Sequence, residues 1–553
     1  PARSGPGASR AAGAGQGRCP AMLAALLAPA LAAVAAAAAG DRGFASWFSS
    51  ELRAVEGRKL HVEGSIPPFV RGLFLQSGPA RFDIGGMKFG HALDGFSKHL
   101  ELRFEDNGGH AVVTFSTDFL QSGFYTQSLQ KNTIVAGMVA AETTPASRRW
   151  HGPLNALGPN DNNYIKPQFI GETEVMTTDT NYLTIMDKTS HINRTITPYL
   201  PGNLQQYHWK DEPALPLGHL CIQAAMAHGV TDPQTGSYVT AMGCQNLNIW
   251  PFEQYHLIFR IDPSDLQRRV RVATVPLPYG RPPSYMHQNG VTDRYHVLVA
   301  TPFYMDLLAV MEGKGLAEGG LVSPPGGQTL FQIVNKSDGS VRQVATPGFL
   351  MGHVVNSYED GEEIVVDLTH MEASSGGFFA RYLLGNIMDK GKRDGFQKSS
   401  ILRFRLKPDG GFTREPLLPQ EPEDDIELPV VHPHLFGKKH CLMWGVQFST
   451  GGRGFASTAL VKRDVCTGEN ITRYEEGLYV SEHAFIPRPG AEGEDDGALV
   501  GLVFDGALNE TFAEVVDART LQRLAKMSLG LRVPFPVHAT WRQDAVASTS
   551  ILV

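Results

Sequence analysis

The sequence predicts an all-β chain closed into a ring, a β-propeller, and three observations carry that expectation. First, six segments share one form, an alternating apolar strand closing on a polar turn. They are YLTIMDKTS at Asp187, YHLIFRIDPSDLQ at Asp262, TLFQIVNKSDGS at Asn335, ILRFRLKPDGG at Asp409, ALVKRDVCTGE at Asp464 and FAEVVDARTLQ at Asp517. Successive turns stand 75, 73, 74, 55 and 53 residues apart, each interval long enough for a four-stranded blade. Second, from Leu52 onward the pattern is short strands and turns with scarcely a convincing helix, and 59 glycines and 36 prolines suit many tight turns. Third, four histidines occur in similar settings although they span 310 positions. A series of β-sandwiches would also repeat turn signals, but it would not bring residues so far apart to one point. A ring does.

The four histidines are His228 in QAAMAHGVTDPQTG, His287 in PSYMHQNGVTDRYHVLVATP, His353 in MGHVVNSYEDGEEIVVDLTHME and His538 in VPFPVHATW. Each follows a short apolar or small-residue approach. After His353 come a hairpin turn, Glu359-Asp360-Gly361, and the strand Ile364-Val365-Val366-Asp367-Leu368, whose branched residues suit a pleated surface. That places His353 on or beside a strand, at an interior position. A single such histidine reads as a hydrogen-bonded core residue; four in similar settings read as a site.

Length and charge set outer bounds. Closed all-β folds of 553 residues occur as single domains, and 42% apolar residues are ample for a core. A net charge of −7 with a pI near 6.3 argues against a nucleic-acid partner, which requires a basic face. The five cysteines, Cys19, Cys221, Cys244, Cys441 and Cys466, show neither CxxC nor a paired spacing. Neither a disulfide framework nor a thiolate zinc site is therefore expected. There is no Walker loop, GxSxG or HExxH, and the glycines of GGRGF at Gly451 lack the strand-turn-helix context of a phosphate cradle.

Residues 1–45 differ in composition from the rest. They carry Arg3, Arg10 and Arg18, no acid before Asp41, and the run MLAALLAPALAAVAAAAAG from Met22, interrupted by Pro29. Basic, acid-poor and alanine-rich, this stretch reads as a removable leader for the secretory pathway or a plastid and not as a membrane span. Residues 46–553 then form the propeller. Four sequons, at Asn193, Asn335, Asn470 and Asn509, carry meaning only if that leader is secretory. The acidic runs Glu421 to Glu427 and Glu492 to Asp496 read mostly as solvated turns.

Three connections are unusually apolar. Gln245 to Leu257 carries Trp250, Phe252 and Tyr255; Thr301 to Met311 carries Phe303, Tyr304, Leu307 and Leu308; Asp118 to Gln127 carries Phe119, Leu120, Phe124 and Tyr125. They read either as propeller core or as a tunnel and rim that touch a bilayer to collect a lipid-soluble substrate.

The four histidine segments, together with GSIPPFVRGLFLQSGPARFDIG and FGHALDGFSKHLELRF, resemble the carotenoid cleavage oxygenase family, which includes the animal retinoid isomerase. The resemblance runs from about Val55 to Val553 and meets each histidine segment in the expected order. It implies a seven-bladed propeller joined at its ends, capped over one face by loops and short helices. His228, His287, His353 and His538 fall on the family's four iron ligands. Glu427 in DDIELPVVHP and Glu482 in LYVSEHAFIPRP match acids that hold those ligands, and Asp179 in MTTDTNYLTIMD stands where most relatives carry glutamate. Aspartate is one methylene shorter, so its bond to histidine is lost, bridged by water, or recovered by a backbone shift. Thr178 matches a threonine near the open iron positions, though a plain strand-forming role fits it equally. AHGV at His228 replaces a common AHPH, keeping the ligand and losing the other histidine.

Donor chemistry points the same way. Neutral imidazoles suit iron, zinc, copper or nickel, but four of them would fill a tetrahedral zinc and leave no place to react. Iron(II) accepts six ligands, so two positions stay open. The resemblance implies oxidative cleavage of a conjugated C=C bond of a carotenoid or apocarotenoid by dioxygen, with peripheral contact to a membrane. A retinoid or apocarotenoid isomerohydrolase on the same iron, and a propeller scaffold with a structural metal, are the alternatives.

Overall fold

Seven sheets, antiparallel except for the short outer strand His208–Trp209 of the third, are arranged as blades around one axis and account for most of the strands in the computed structural model of this chain. It describes residues 41–135, 137, 139–146, 161–179, 182–186, 193–198, 208–209, 219–223, 226–373, 377–417 and 425–544. The first blade closes the ring with strands from both ends of the chain. Ala539–Gln543, near the carboxyl terminus, pairs with Gly72–Arg81, followed by Phe96–Asn107, His110–Phe119 and Val55–Lys59. The last blade receives Glu63–Gly64 as its outermost strand, against Arg523–Leu531.

The innermost strands form the ring itself. They are Ala539–Gln543, Lys166–Ile170, Val230–Thr231, Asn289–Val291, Val354–Asp360, Asp425–Val430 and Leu478–Pro487, for blades one to seven. Contacts run between neighbouring members of this set around most of the circle. Because strands alternate in direction, second-to-third turns and connections between blades leave at one end of the sheets, and third-to-fourth turns leave at the other. The short helices Gly123–Lys131, Leu307–Met311, Gly377–Ala380, Leu384–Ile387 and Lys390–Arg393 all lie in connections at the first end. They form the cap.

Apolar residues of facing sheets hold adjacent blades together. Val297 and Phe331 of the fourth blade pack with Val366 and Phe404 of the fifth, all fully buried. Phe404→Ala would cost about 3–5 kcal/mol through the cavity it leaves. Five of the six polar turns found in the sequence close the third strand of their blade. There Asp262, Asn335, Asp409, Asp464 and Asp517 each accept the backbone N–H two residues ahead through Oδ1. Asp187 lies outside the described residues. The remaining blade has its own version at Asp106, which accepts from the Gly109 amide.

The structure corrects two expectations and decides a third between its alternatives. Two disulfides are present, Cys221–Cys244 and Cys441–Cys466. Cys221 and Cys244 sit on paired strands, and Cys466 lies in a turn beside Cys441. Antiparallel pairing brings residues 23 and 25 apart into contact, and no spacing motif records such a register. Next, the body begins before residue 46. Phe44 is fully buried among Trp47, Phe48, Phe455 and Tyr479, and Asp41 pairs with Arg393. Last, Phe119, Leu120, Phe124 and Tyr125 are buried and form no exposed rim. Three of them join Phe89 and Phe96 in a core beneath helix Gly123–Lys131.

Candidate metal centre

Every blade sends one group toward the axis from the start of, or along, its innermost strand. His538 immediately precedes Ala539–Gln543, and His353 immediately precedes Val354–Asp360. His228 and His287 stand two residues before Val230–Thr231 and Asn289–Val291. Lys166 opens the second blade, while Glu427 and Glu482 lie within the inner strands of the sixth and seventh. The histidines thus share the cap end of the ring. Local bonds fix their backbones: the His228 amide donates to the His287 carbonyl at 3.0 Å, and the His353 amide donates to Thr369 Oγ1 at 2.8 Å.

The four imidazoles converge. One ring nitrogen from each lies within 4.8 Å of the others, with His228 Nε2 at 2.9 Å and His353 Nε2 at 3.2 Å from His538 Nε2. Burial and the neighbouring cationic groups hold His228 and His538 well below the usual histidine range, so both rings are neutral. For His287, His353 and His538 the opposite nitrogen, Nδ1, faces a carboxylate, which fixes the proton there and leaves Nε2 as a lone-pair donor. Lone pairs aimed at one another repel, and a cation between them removes that repulsion. The donor set therefore fits a metal with imidazole ligands.

The carboxylates differ in how they are held. Glu427 Oε2 lies 2.8 Å from His353 Nδ1. Burial would raise its pKa, but the histidine bond and charge outweigh that and lower it. Gly352 is required for this approach, because a Cβ there would sit 2.7 Å from Glu427 Oε1. Glu482 lies 3.3 Å from His538 Nδ1 and also accepts the Ala539 amide. Burial pushes it up to about 7 against the charge of Lys166. Asp179 reaches His287 Nδ1 at 2.9 Å with both oxygens, so the shorter side chain does make its bond. The Tyr285 hydroxyl donates to Asp179 Oδ2 at 2.6 Å and the Ala227 amide donates to Oδ1 at 3.1 Å.

His228 has a different neighbour, Lys166, whose Nζ stands 3.4 Å from His228 Nδ1. Burial lowers the pKa of this lysine. Sequence reading missed Lys166 and Tyr285, since neither a strand lysine nor a lone tyrosine carries a motif. In AHGV, Val230 is buried in the core between the third and fourth blades.

Above the histidines lies a cavity of about 690 Å³, counting the space where it opens to solvent, walled by Leu93, Ile165, Phe379, Tyr382 and Phe535 among others. Its polar lining consists of His287, His353 and His538, the carboxylates of Asp179 and Glu427, and the tyrosines Tyr285 and Tyr382. A second space of about 720 Å³ shares Leu93, Ile165, Asp179, Tyr285 and Phe379 with it. Thr178, which is buried, lines this second space and is not brought into the first. Phe303 is buried against Tyr285 and Phe379 and faces a third small space beside His287. With Tyr304 and Tyr255, also buried, it is interior and not a rim residue. Among the exposed apolar side chains are Trp250, Phe252 and Leu308; the side chain of Leu307 lies outside the described residues.

Residues 48–543 match the model of a family described as Retinal pigment epithelial membrane protein. The chain is 25% identical to the mitochondrial carotenoid-cleaving dioxygenase of Macaca fascicularis, over 88% of this chain and 92% of the relative. It is likewise 25% identical to the chloroplastic carotenoid cleavage dioxygenase 8 homolog A of Oryza sativa subsp. japonica, over 91% and 89%. To the beta,beta-carotene 15,15'-dioxygenase of Mus musculus it is 23% identical, over 89% and 90%. Among solved structures, cobalt-substituted Synechocystis apocarotenoid oxygenase superposes with a TM-score of 0.74 at 19% identity, over 91% of this chain and 98% of that one. At that identity the likeness speaks for the shared propeller.

Proposed function

The chain belongs to the family described as Retinal pigment epithelial membrane protein, which is that of the carotenoid oxygenases, and from that premise we propose that it is a non-haem iron(II) dioxygenase cleaving a conjugated C=C bond of a carotenoid or apocarotenoid. The observation that carries this reading is the meeting of four imidazoles, three of them buried and His287 partly so, beside a largely apolar cavity. Iron(II), when bound by His228, His287, His353 and His538, would supply the redox chemistry and open positions that dioxygen and an alkene require.

The protein's own part is positioning. Asp179, Glu427 and Glu482 hold three imidazoles in one tautomer and one orientation, as ligands need. The apolar walls exclude water and hold a polyene so that one bond lies over the histidines, which sets the regiochemistry. Replacing one C=C by two C=O uses both atoms of dioxygen and neither takes up nor releases a proton. No general acid or base is needed, in keeping with carboxylates that are all engaged with histidines.

Such a substrate has little solubility in water, so a membrane is its natural source. Leu247, Ile249, Trp250 and Phe252 form the tip of a second-to-third hairpin in the third blade, and Leu308 lies in a cap helix. All are exposed, Trp250 at 82%, and all stand at the end of the sheets where the histidines are. Burial in lipid stabilises by about 1.5–3 kcal/mol per fully buried large side chain, so a few residues partly buried favour peripheral, reversible attachment. Among the described residues no helix is long and apolar enough to cross a membrane. The reading is tested by anaerobic loading with iron(II), then incubation with a panel of carotenoids and apocarotenoids and identification of products by mass. Two carbonyl fragments from one substrate support it, and recovery of every intact polyene overturns it.

A further inference from the structure

Both disulfides lie outside the metal centre, and together they engage every cysteine of the described residues. A chain kept in a reducing compartment has no reason to place all four of its folded cysteines in bonding pairs on neighbouring strands and turns. Cytosolic thiols are held reduced, whereas oxidising lumens form and keep such bonds. The one other cysteine, Cys19, falls in the basic, alanine-rich stretch that reads as a leader.

The sequons show a spatial pattern that the sequence alone does not. Asn193 opens the fourth strand of the second blade, Asn335 closes the third strand of the fourth, and Asn470 opens the fourth strand of the sixth. All three flank a third-to-fourth turn, so all three stand at the end of the sheets opposite the cap. Asn470 and its Thr472 are both exposed, and the turn before them holds Cys466 of the second disulfide. Asn509 is exposed too, but it sits at the cap end, where its Oδ1 accepts bonds from Ser46 and Arg532. A glycan is bulky and hydrophilic and is added to surface sequons of secreted chains. On the three shared turns it would project away from the apolar tip at Trp250, leaving that end of the ring free.

We infer that this chain matures in an oxidising, glycan-transferring lumen, where it acquires the bonds Cys221–Cys244 and Cys441–Cys466 and an N-linked glycan at Asn470, with Asn193 and Asn335 as further acceptors on the same face. This separates the secretory pathway from the plastid stroma, where thiols stay reduced and asparagine glycans are not transferred.

The test uses the protein purified from the cells that make it. It is alkylated with iodoacetamide before any reduction, digested, and treated with peptide N-glycosidase A in ¹⁸O-water. The expected result is two disulfide-linked peptide pairs with no alkylated cysteine among the four, and Asn470 recovered as ¹⁸O-labelled aspartate. Alkylation of those four cysteines without reduction overturns the inference, and so does recovery of the Asn470 peptide as unmodified asparagine. In a secreting host, Thr472→Ala keeps the asparagine but breaks the sequon, and should remove one glycan step on a gel. An unchanged mobility would likewise refute Asn470 as an acceptor. None of these readouts depends on iron or on turnover, so this inference and the proposed dioxygenase activity fail separately.

Discussion

Replacing Asp179 by asparagine keeps the size of the side chain and removes its charge. In the structure Asp179 accepts from three donors, His287 Nδ1 at 2.9 Å, the Tyr285 hydroxyl at 2.6 Å and the Ala227 amide at 3.1 Å. An asparagine side chain has only one oxygen, so its NH₂ must turn toward at least one of those donors. The bond to His287 then weakens or the ring swings away from its three partners. Loss of such an outer partner typically costs 10- to 100-fold in metal affinity, about 1.4–2.8 kcal/mol. Tyr285→Phe removes only one bond to the carboxylate and leaves the negative charge of Asp179 facing His287 intact, so its effect should be the smaller. Metal retention under competition with a chelator is the assay, with turnover measured beside it. A simple loss of packing would lower turnover at unchanged metal affinity. If Asp179→Asn holds iron as tightly as the unaltered protein, Asp179 is a structural turn residue and the reasoning is refuted.

The other predictions concern separate parts of the molecule. Alanine at any one of His228, His287, His353 or His538 should abolish iron binding and activity while the propeller still melts cooperatively; stoichiometric zinc in active protein would contradict the iron assignment. Changing Trp250 and Phe252 together to serine should release the protein from liposomes and spare turnover in detergent, and equal losses in both assays would place these residues in the substrate path instead. Burial would raise the Glu514 carboxyl, but its bonds to His483 and the charges of Arg473 and Arg523 bring it down to about 2 from an ordinary 4.5. A depressed acid stabilises the fold above its unfolded pKa, so this contribution, about 3 kcal/mol at most, should be lost as pH falls from about 4.5 through 2. Glu514→Gln should unfold more readily at neutral pH, with a shallower acid dependence in a melting series; an unchanged acid slope would refute the assignment.

The repeat was legible because each blade writes the same local event, a strand closing on a side chain that caps its own turn. Five of the six turns named from sequence occupy that position, and Asp106 caps the matching turn of the first blade. The histidines were legible through their shared setting. What sequence could not give was whatever depends on strand register or on packing between distant segments. Cys221 meets Cys244 only through the pairing of two strands. Phe303 and Trp250 look alike in sequence, yet Phe303 is buried against Phe379 from the fifth blade while Trp250 is left exposed at a hairpin tip. The reach of Asp179 depends on His287 and Tyr285, more than 100 residues away. Lys166 gains its interest only because the ring places it beside His228.

The central claim is that this four-histidine centre joins dioxygen to a polyene. Its most direct test is the mass of the products formed by iron-loaded protein from a cleaved carotenoid or apocarotenoid under ¹⁸O₂ in ordinary water, with incubations short enough to limit exchange. Two carbonyl fragments are expected, each carrying one ¹⁸O. Fragments free of label, or a polyene that is isomerised without oxygen and never cut, would contradict it.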